Sequence, residues 1–438
     1  MDRKLILVAL LACLAIMISY NRFTHSTGTD FYQYWGVGKA QKWSSNELKS
    51  PYAEEEKYAG VLNEHETHST DLRLNKANKA RRVLEFAQTP LCFSIFTILP
   101  ANYSIAFGTY QIIQVILFLA AIVLLSAVNY GNWLRLLSLA LLLLFFYTPV
   151  IADLKVGNLN CLYLFGLSLL LVLADGFTTK RFLPPAIGPG IAFMGLLVFL
   201  ALFKPNFNLV LLLFVAYLWV VPIPSVFARS ALAGMVFGTF LVALPCLQFH
   251  SWSVWQDWYR YLRVWDIPNL KARIILGNFA PILLFSKILR ATVASATAII
   301  SALLILSILL ALAMAAGKKG SLFKGMARAA RQSLRDPHLL MAIGITATLF
   351  ISPLVWSHYY TISLLPAFWL LSPRHPWRQA KKAAWISIIL TSNLIAAVMR
   401  QWFGFDFTLS YVTAVLGLLP LWAGILAAIV LNPRTLSD

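Results

Sequence analysis

Long apolar runs separated by short polar breaks set the pattern of this chain. The runs at 104–128, 134–150 and 293–315 are built almost wholly of Leu, Ile, Val, Ala, Phe and other uncharged residues. Each meets the requirement of roughly 20 apolar residues for a helix to cross about 30 Å of hydrocarbon. Extended along the whole sequence, the same pattern predicts about twelve spans, at 4–20, 104–128, 134–150, 159–174, 187–203, 208–222, 230–247, 293–315, 338–352, 359–372, 383–399 and 408–431. The first follows Met-Asp-Arg-Lys and has no small-residue cleavage site after it, so it reads as an uncleaved span. The fifth and sixth are short and joined by Lys204-Pro205-Asn206. The segment 88–100, bounded by prolines, predicts a re-entrant or interfacial helix.

Two connections are long and polar or aromatic, at about 21–103 and 248–292. The first carries Phe31-Tyr32-Gln33-Tyr34-Trp35 and later a polar run at 54–82. The second carries Trp252, Trp255, Trp258, Tyr259, Tyr261 and Trp265, with Arg260 and Arg263 between them. Such spacing predicts short amphipathic helices at headgroup level. With neither an internal repeat nor a soluble domain, residues 1–438 read as one all-α polytopic membrane domain.

Composition strengthens this reading. Hydrophobic residues make up 59% of the chain and charged residues 12%, about half the charged share of an ordinary globular protein. A net charge of +19 would suggest nucleic acid in a soluble chain, but no basic soluble domain exists to bind it. The basic residues instead gather in short loops, at Lys180-Arg181, at 318–335, and at Arg374, Arg378, Lys381 and Lys382. These fall on one face if both termini are cytoplasmic. The chain is then a multi-pass protein of the cell (inner or plasma) membrane, with both long loops outside. Both loops are also net basic, which suits anionic headgroups or phosphate. The four cysteines are dispersed and show no metal-binding spacing. The phosphate-cradling GxxxxGK[ST], the nucleophile motif GxSxG and the zinc motif HExxH do not occur, which argues against ATP-driven chemistry in the chain itself.

Polar residues at span ends are the candidates for chemistry, because they are costly there. Asp30, just ahead of the aromatic stretch, reads either as a helix N-cap or as a carboxylate that accepts a proton from a hydroxyl. Ser352-Pro353-Leu354-Val355-Trp356-Ser357-His358-Tyr359-Tyr360 places an imidazole at the lip of a span, as a satisfied interfacial side chain or as an anion or proton site. Asp153-Leu154-Lys155-Val156-Gly157-Asn158-Leu159-Asn160 reads as a short outer loop, either a plain polar hairpin or one that offers Asn158 and Asn160 to sugar or phosphate oxygens. Lys204 either snorkels or pairs with phosphate, as do Arg260, Arg263, Lys271 and Arg273. Asp257, Asp266 and Asp406 are weaker acid candidates.

Taken in order, these pieces resemble glycosyltransferase family 87, mannosyltransferase-like enzymes of the GT-C superfamily. The matching residues are Asp30-Phe31-Tyr32, Pro51-Tyr52, the proline-rich segment 86–100, Gly157-Asn158-Leu159-Asn160, Lys204-Pro205 and the late Ser-Pro-x-x-Trp-x-His-Tyr at 352–359. Asn158 stands where the family carries Gln, and Gly277-Asn278-Phe279 only loosely matches an Asn-Gln-Ser element. The resemblance implies a GT-C-like bundle of about twelve transmembrane helices. It also implies inverting transfer of mannose or a pentose from a polyprenyl-phosphate donor to a glycolipid or glycan hydroxyl outside the membrane. Asp30 would be the catalytic base. His358, Lys204, Arg260 and Arg263 would hold the donor phosphate, and Tyr32, Asn158, Asn160, Trp356 and Tyr359 would bind substrate. Neither a cofactor nor a divalent metal is expected, and membrane lipids are the other partners. A lipid-linked glycan flippase or transporter is the main rival, followed by a glycan polymerase or ligase and a non-catalytic scaffold.

Overall fold

A backbone surrounded by lipid must close its hydrogen bonds within itself, and the computed structural model of this chain is helical, without a strand among the described residues. The structure describes residues 13, 17, 26–44, 47–80, 88–129, 133–178, 187–220, 226–264, 279–316, 321–372, 377–392, 395, 398, 399, 402 and 407–431. The expected span at 4–20 and the loop residues Lys180, Arg181, Asp266, Lys271, Arg273, Asn278, Arg374 and Asp406 lie outside the described residues, apart from isolated positions.

The first long connection folds as α1 (Thr29–Trp43), α2 (Glu55–Thr67), α3 (Leu72–Ala80) and the seven-residue α4 (Pro90–Phe96). The headgroup-level helix expected at Phe31-Tyr32-Gln33-Tyr34-Trp35 is instead buried: every residue of α1 from Phe31 to Gln41 is covered. The cause is packing on all sides, since the neighbouring short helices and the start of α5 (Tyr103–Asn129) wrap it. The segment at 88–100 does form a short buried helix. Thr89 caps it by accepting from the Cys92 N–H, and its hydroxyl donates to the Phe203 carbonyl at 3.1 Å.

The remaining apolar runs give α6 (Trp133–Phe146), α7 (Thr148–Val156), α8 (Asn160–Thr178), α9 (Ile187–Phe203), α10 (Asn208–Val220) and α11 (Val226–Gln248). The second long connection holds α12 (Val254–Val264) and α13 (Pro281–Ile288). After these come α14 (Val293–Ala315), α15 (Leu322–Ser333), α16 (Pro337–Ile351), α17 (Leu364–Leu371), α18 (Arg378–Thr391) and α19 (Phe407–Leu431).

Three helical stretches among the described residues are long and apolar enough to cross a membrane: Tyr103–Leu125, Val293–Ala315 and Tyr411–Leu431. Counting bent pairs as single spans raises the number to six, against the twelve that the apolar pattern predicts. Most of the run at 4–20 and part of the run at 383–399 lie outside the described residues. The helices at 160–176 and 232–248 are shorter than a full span. Proline breaks other runs, because it lacks an N–H and restricts the residue before it. The run at 134–150 breaks at Tyr147, ahead of Pro149, and α7 turns from α6 by 66°. The runs at 187–203 and 208–222 meet at a bend of 113° around Lys204, followed by a 3-10 turn at Pro205–Phe207. The run at 359–372 is not one helix, since Ser357–Ser363 winds as a 3-10 turn and leaves only the eight residues of α17.

Two apolar cores result. One packs α1 to α4 against the start of α5 and the end of α11. The other joins α6 to α10 with α13 to α19. Residues 157–160 lie where the two cores meet.

Candidate functional site

Two glycines in the left-handed region set the geometry here. Gly28, at φ +67°, precedes α1, and its N–H donates to the Lys155 carbonyl at 3.2 Å, tying the start of α1 to the end of α7. Gly157, at φ +70°, terminates α7. A Cβ at Gly157 would stand 2.6 Å from Phe31 Cβ and 2.8 Å from the Phe107 ring, so only glycine lets α1 approach this closely. The short loop expected at 153–160 is therefore a helix end and a tight turn. Asp153 belongs to α7 and is fully buried.

Asp30 lies in the first turn of α1 and is not its cap, since Gly28 occupies the cap position and no side chain bonds there. Its carboxylate turns instead to the turn after α7. Asn158 Nδ2 donates to Asp30 Oδ2 at 2.7 Å and to the Tyr34 hydroxyl oxygen at 3.2 Å. His358 Nε2 comes within 3.7 Å of the same Asp30 oxygen, close enough for charge interaction and beyond a direct hydrogen bond. The His358 side chain is 7% exposed and that of Asp30 14%, so the carboxylate keeps a narrow opening.

The far end of the Asn158 amide faces a cation. Lys204 Nζ donates to Asn158 Oδ1 at 3.1 Å and also to Asn160 Oδ1. It stands 4.5 Å above the centre of the Tyr359 ring, within cation–π range. Asn160 Nδ2 in turn donates to Asp153 Oδ1 at 2.7 Å, and the Cys161 N–H donates to Asp153 Oδ2 at 2.9 Å. A buried polar chain thus runs from His358 and Asp30 through Asn158 to Lys204, Asn160 and Asp153. Both acceptors of Lys204 are neutral amide oxygens, so its charge is solvated and not cancelled by contact.

Local structure fixes each member. The break before Pro205 leaves Lys204 extended, at φ −145°. The His358 segment is pinned by hydrogen bonds onto main-chain carbonyls: Phe279 N–H to Val355 O at 2.6 Å, Tyr360 O–H to Phe279 O at 3.0 Å and Tyr147 O–H to Tyr360 O at 3.0 Å. Tyr359 O–H accepts from Asn206 Nδ2 at 3.3 Å. Trp356, half-buried, precedes the 3-10 turn that carries His358.

The structure therefore brings together Asp30, Asn158, Asn160, Lys204, His358 and Tyr359. It does not bring Tyr32 into that polar chain. The Tyr32 hydroxyl donates to buried Glu66 of α2. Burial first, and then this hydrogen bond, pushes the Tyr32 hydroxyl far up, while burial raises the Glu66 carboxyl to about 7 against the opposing pull of Tyr32. Arg260 and Arg263 lie on exposed positions of α12 and are likewise absent from the chain. Arg260 pairs with Asp257 at 3.5 Å with 73% of its side chain exposed, and Arg263 sits 5.7 Å from the Tyr259 ring. The amphipathic spacing that singled them out reflects a helix with one wet face.

Sequence reasoning missed Tyr34 and the structural weight of Asp153. Tyr34 was within reach: four residues after Asp30, it shares a helix face with it, whereas Tyr32, two residues on, does not. Among the described residues no group of three or more His, Cys, Asp or Glu side chains is placed to hold a metal ion. No protein-family model, curated protein or solved structure matches the chain.

Proposed function

We propose that this chain is an inverting glycosyltransferase of the cell membrane, a GT-C-like bundle of about twelve spans with both termini in the cytoplasm. It moves mannose or a pentose from a polyprenyl-phosphate donor to a glycolipid or glycan hydroxyl on the outer side. The observation that carries this reading is the 3.7 Å approach of His358 to Asp30, with buried Lys204 joined to the same carboxylate through one Asn158 amide.

Asp30 takes the acceptor hydroxyl proton as the acceptor oxygen bonds to the anomeric carbon. The bond from that carbon to the phosphate oxygen breaks on the opposite face, and polyprenyl phosphate leaves with the electron pair. Lys204 and His358 meet the charge that gathers on phosphate, where preorganised donors act most strongly. Tyr359 and Trp356 offer aromatic faces to the sugar. The reaction as written uses no cofactor or metal.

A flippase or transporter for lipid-linked glycan is the second reading, favoured by the 113° break beside buried Lys204, because transporters place ligands at broken helices. One assay separates the two. Purified protein in detergent is given radiolabelled polyprenyl-phosphate-mannose and a lipid extract, without nucleotide. A labelled product formed by the native chain and not by Asp30→Asn supports transfer. Leaflet exchange of label in vesicles without a new product supports transport and removes the transferase reading.

A further inference from the structure

Helix α15 takes no part in the site above, yet its two faces differ sharply. Lys324, Arg328 and Arg331 recur at steps of four and three, which places them on one stripe of the helix; Arg335 follows two residues past its end, and all four are exposed. Asp336, the acid next to this stripe, is engaged elsewhere: its carboxylate caps α16 by accepting from the His338 and Leu339 N–H groups. On another side of α15, Ala329 is buried and Ala330 and Leu334 pack against the main core. Leu322 and Phe323, at its start, are 52% and 82% exposed.

The helix is also held in a fixed attitude. It meets α16 at 93°, so it lies across the direction of that helix. Gly325 lets it rest on the end of α14, since a Cβ there would come within 2.8 Å of Ala316 Cβ. The fifteen residues of α16 then separate α15 from the His358 end by about 22 Å at 1.5 Å per residue. The basic residues therefore stand at the far end of α16 from the candidate site.

We propose that α15 is a docking surface for anionic phospholipid headgroups. The four cations meet lipid phosphates while Leu322 and Phe323 enter the acyl boundary, the arrangement of an interfacial amphipathic helix. This inference rests on the chain being embedded in a membrane and not on glycosyl transfer, so failure of either leaves the other standing.

The test uses the full chain in neutral detergent, titrated with dioctanoyl phosphatidylglycerol or dioctanoyl phosphatidylcholine, with bound lipid counted by native mass spectrometry. The native chain should bind the anionic lipid at least about tenfold more tightly, as expected for several cations near lipid phosphate. Raising salt from low to about 0.5 M should erase the preference. The combined Lys324→Gln, Arg328→Gln, Arg331→Gln and Arg335→Gln variant should lose it, and a variant with the three arginines changed to Lys should keep it. Equal binding of the two lipids by the native chain, or an undiminished preference in the glutamine variant, overturns the proposal. Displacement by millimolar inorganic phosphate also overturns it, by revealing a free-anion site. If the glutamine variant does not fold, the native chain's lipid preference and its salt dependence still decide the matter.

Discussion

His358 Nε2 stands 3.7 Å from Asp30 Oδ2, although the two residues come from opposite ends of the chain. If that carboxylate is the proton acceptor, Asp30→Asn should lower the rate of sugar transfer by about 10²–10⁴-fold, the usual weight of a positioned general base. The variant keeps an oxygen for Asn158 Nδ2 to bond, so folding should survive. Initial rates with labelled donor, beside a thermal unfolding curve, check both statements. Native rates in a folded variant would remove Asp30 from this role.

Lys204 is buried and held by two amide oxygens. Replacing it with Met should raise the KM for donor about tenfold to a hundredfold, the worth of a lost hydrogen bond to a charged group. Steady-state kinetics at varied donor concentration would show the change. An unaltered KM would mean that the ammonium serves packing and not the phosphate.

Gly157 is far more constrained than its size suggests. Ala at this position meets both a positive φ and a contact of 2.6 Å with Phe31. Destabilisation of about 1–3 kcal/mol is expected from the backbone conformation alone, with the clash added to it. A lowered thermal midpoint should be seen even without substrate, whereas Gly60→Ala, which meets nothing within 4 Å, should leave the midpoint unchanged or raise it.

Glu66 gives the first long connection a pH dependence. Its carboxyl ordinarily titrates near 4.5, and burial raises it to about 7 in the folded chain. The folded state therefore binds the proton more tightly than the unfolded state does. The resulting stabilisation is present in full below about 4.5 and fades as pH rises through about 7. The thermal midpoint of the native chain should carry a downward step between about pH 5 and 7.5. Glu66→Gln, which stays neutral and can still accept from Tyr32, should lack that step. Identical pH profiles for the two proteins would show that another group is responsible.

Much of the fold was readable because apolar runs and helix breakers act locally. The helices at 293–315 and 338–352, and the break at Lys204-Pro205, fall where composition and proline place them. Burial was less readable. Phe31, Tyr34 and Trp35 have the aromatic character of an interfacial helix, and nothing local says that α2, α4 and α5 will cover them. The membership of the site was legible in kind, as polar residues at span ends, but not in arrangement. Arg260 and Arg263 resembled phosphate ligands by charge, and only the packing of α12 shows them on an exposed face. Tyr32 and Tyr34 could have been told apart from helix periodicity, once Asp30 was taken to lie within the helix and not at its cap.

A single carboxamide separates the anion at Asp30 from the cation at Lys204, with its NH₂ turned to one and its oxygen to the other. It works as a spacer: the opposite charges are kept from collapsing onto each other, yet held at a fixed interval. Lengthening the arm by one methylene, in Asn158→Gln, alters that interval without altering any charge. The substitution Asn158→Asp keeps the interval and sets two carboxylates side by side. The pair of substitutions can therefore separate the effect of distance from the effect of charge at one position.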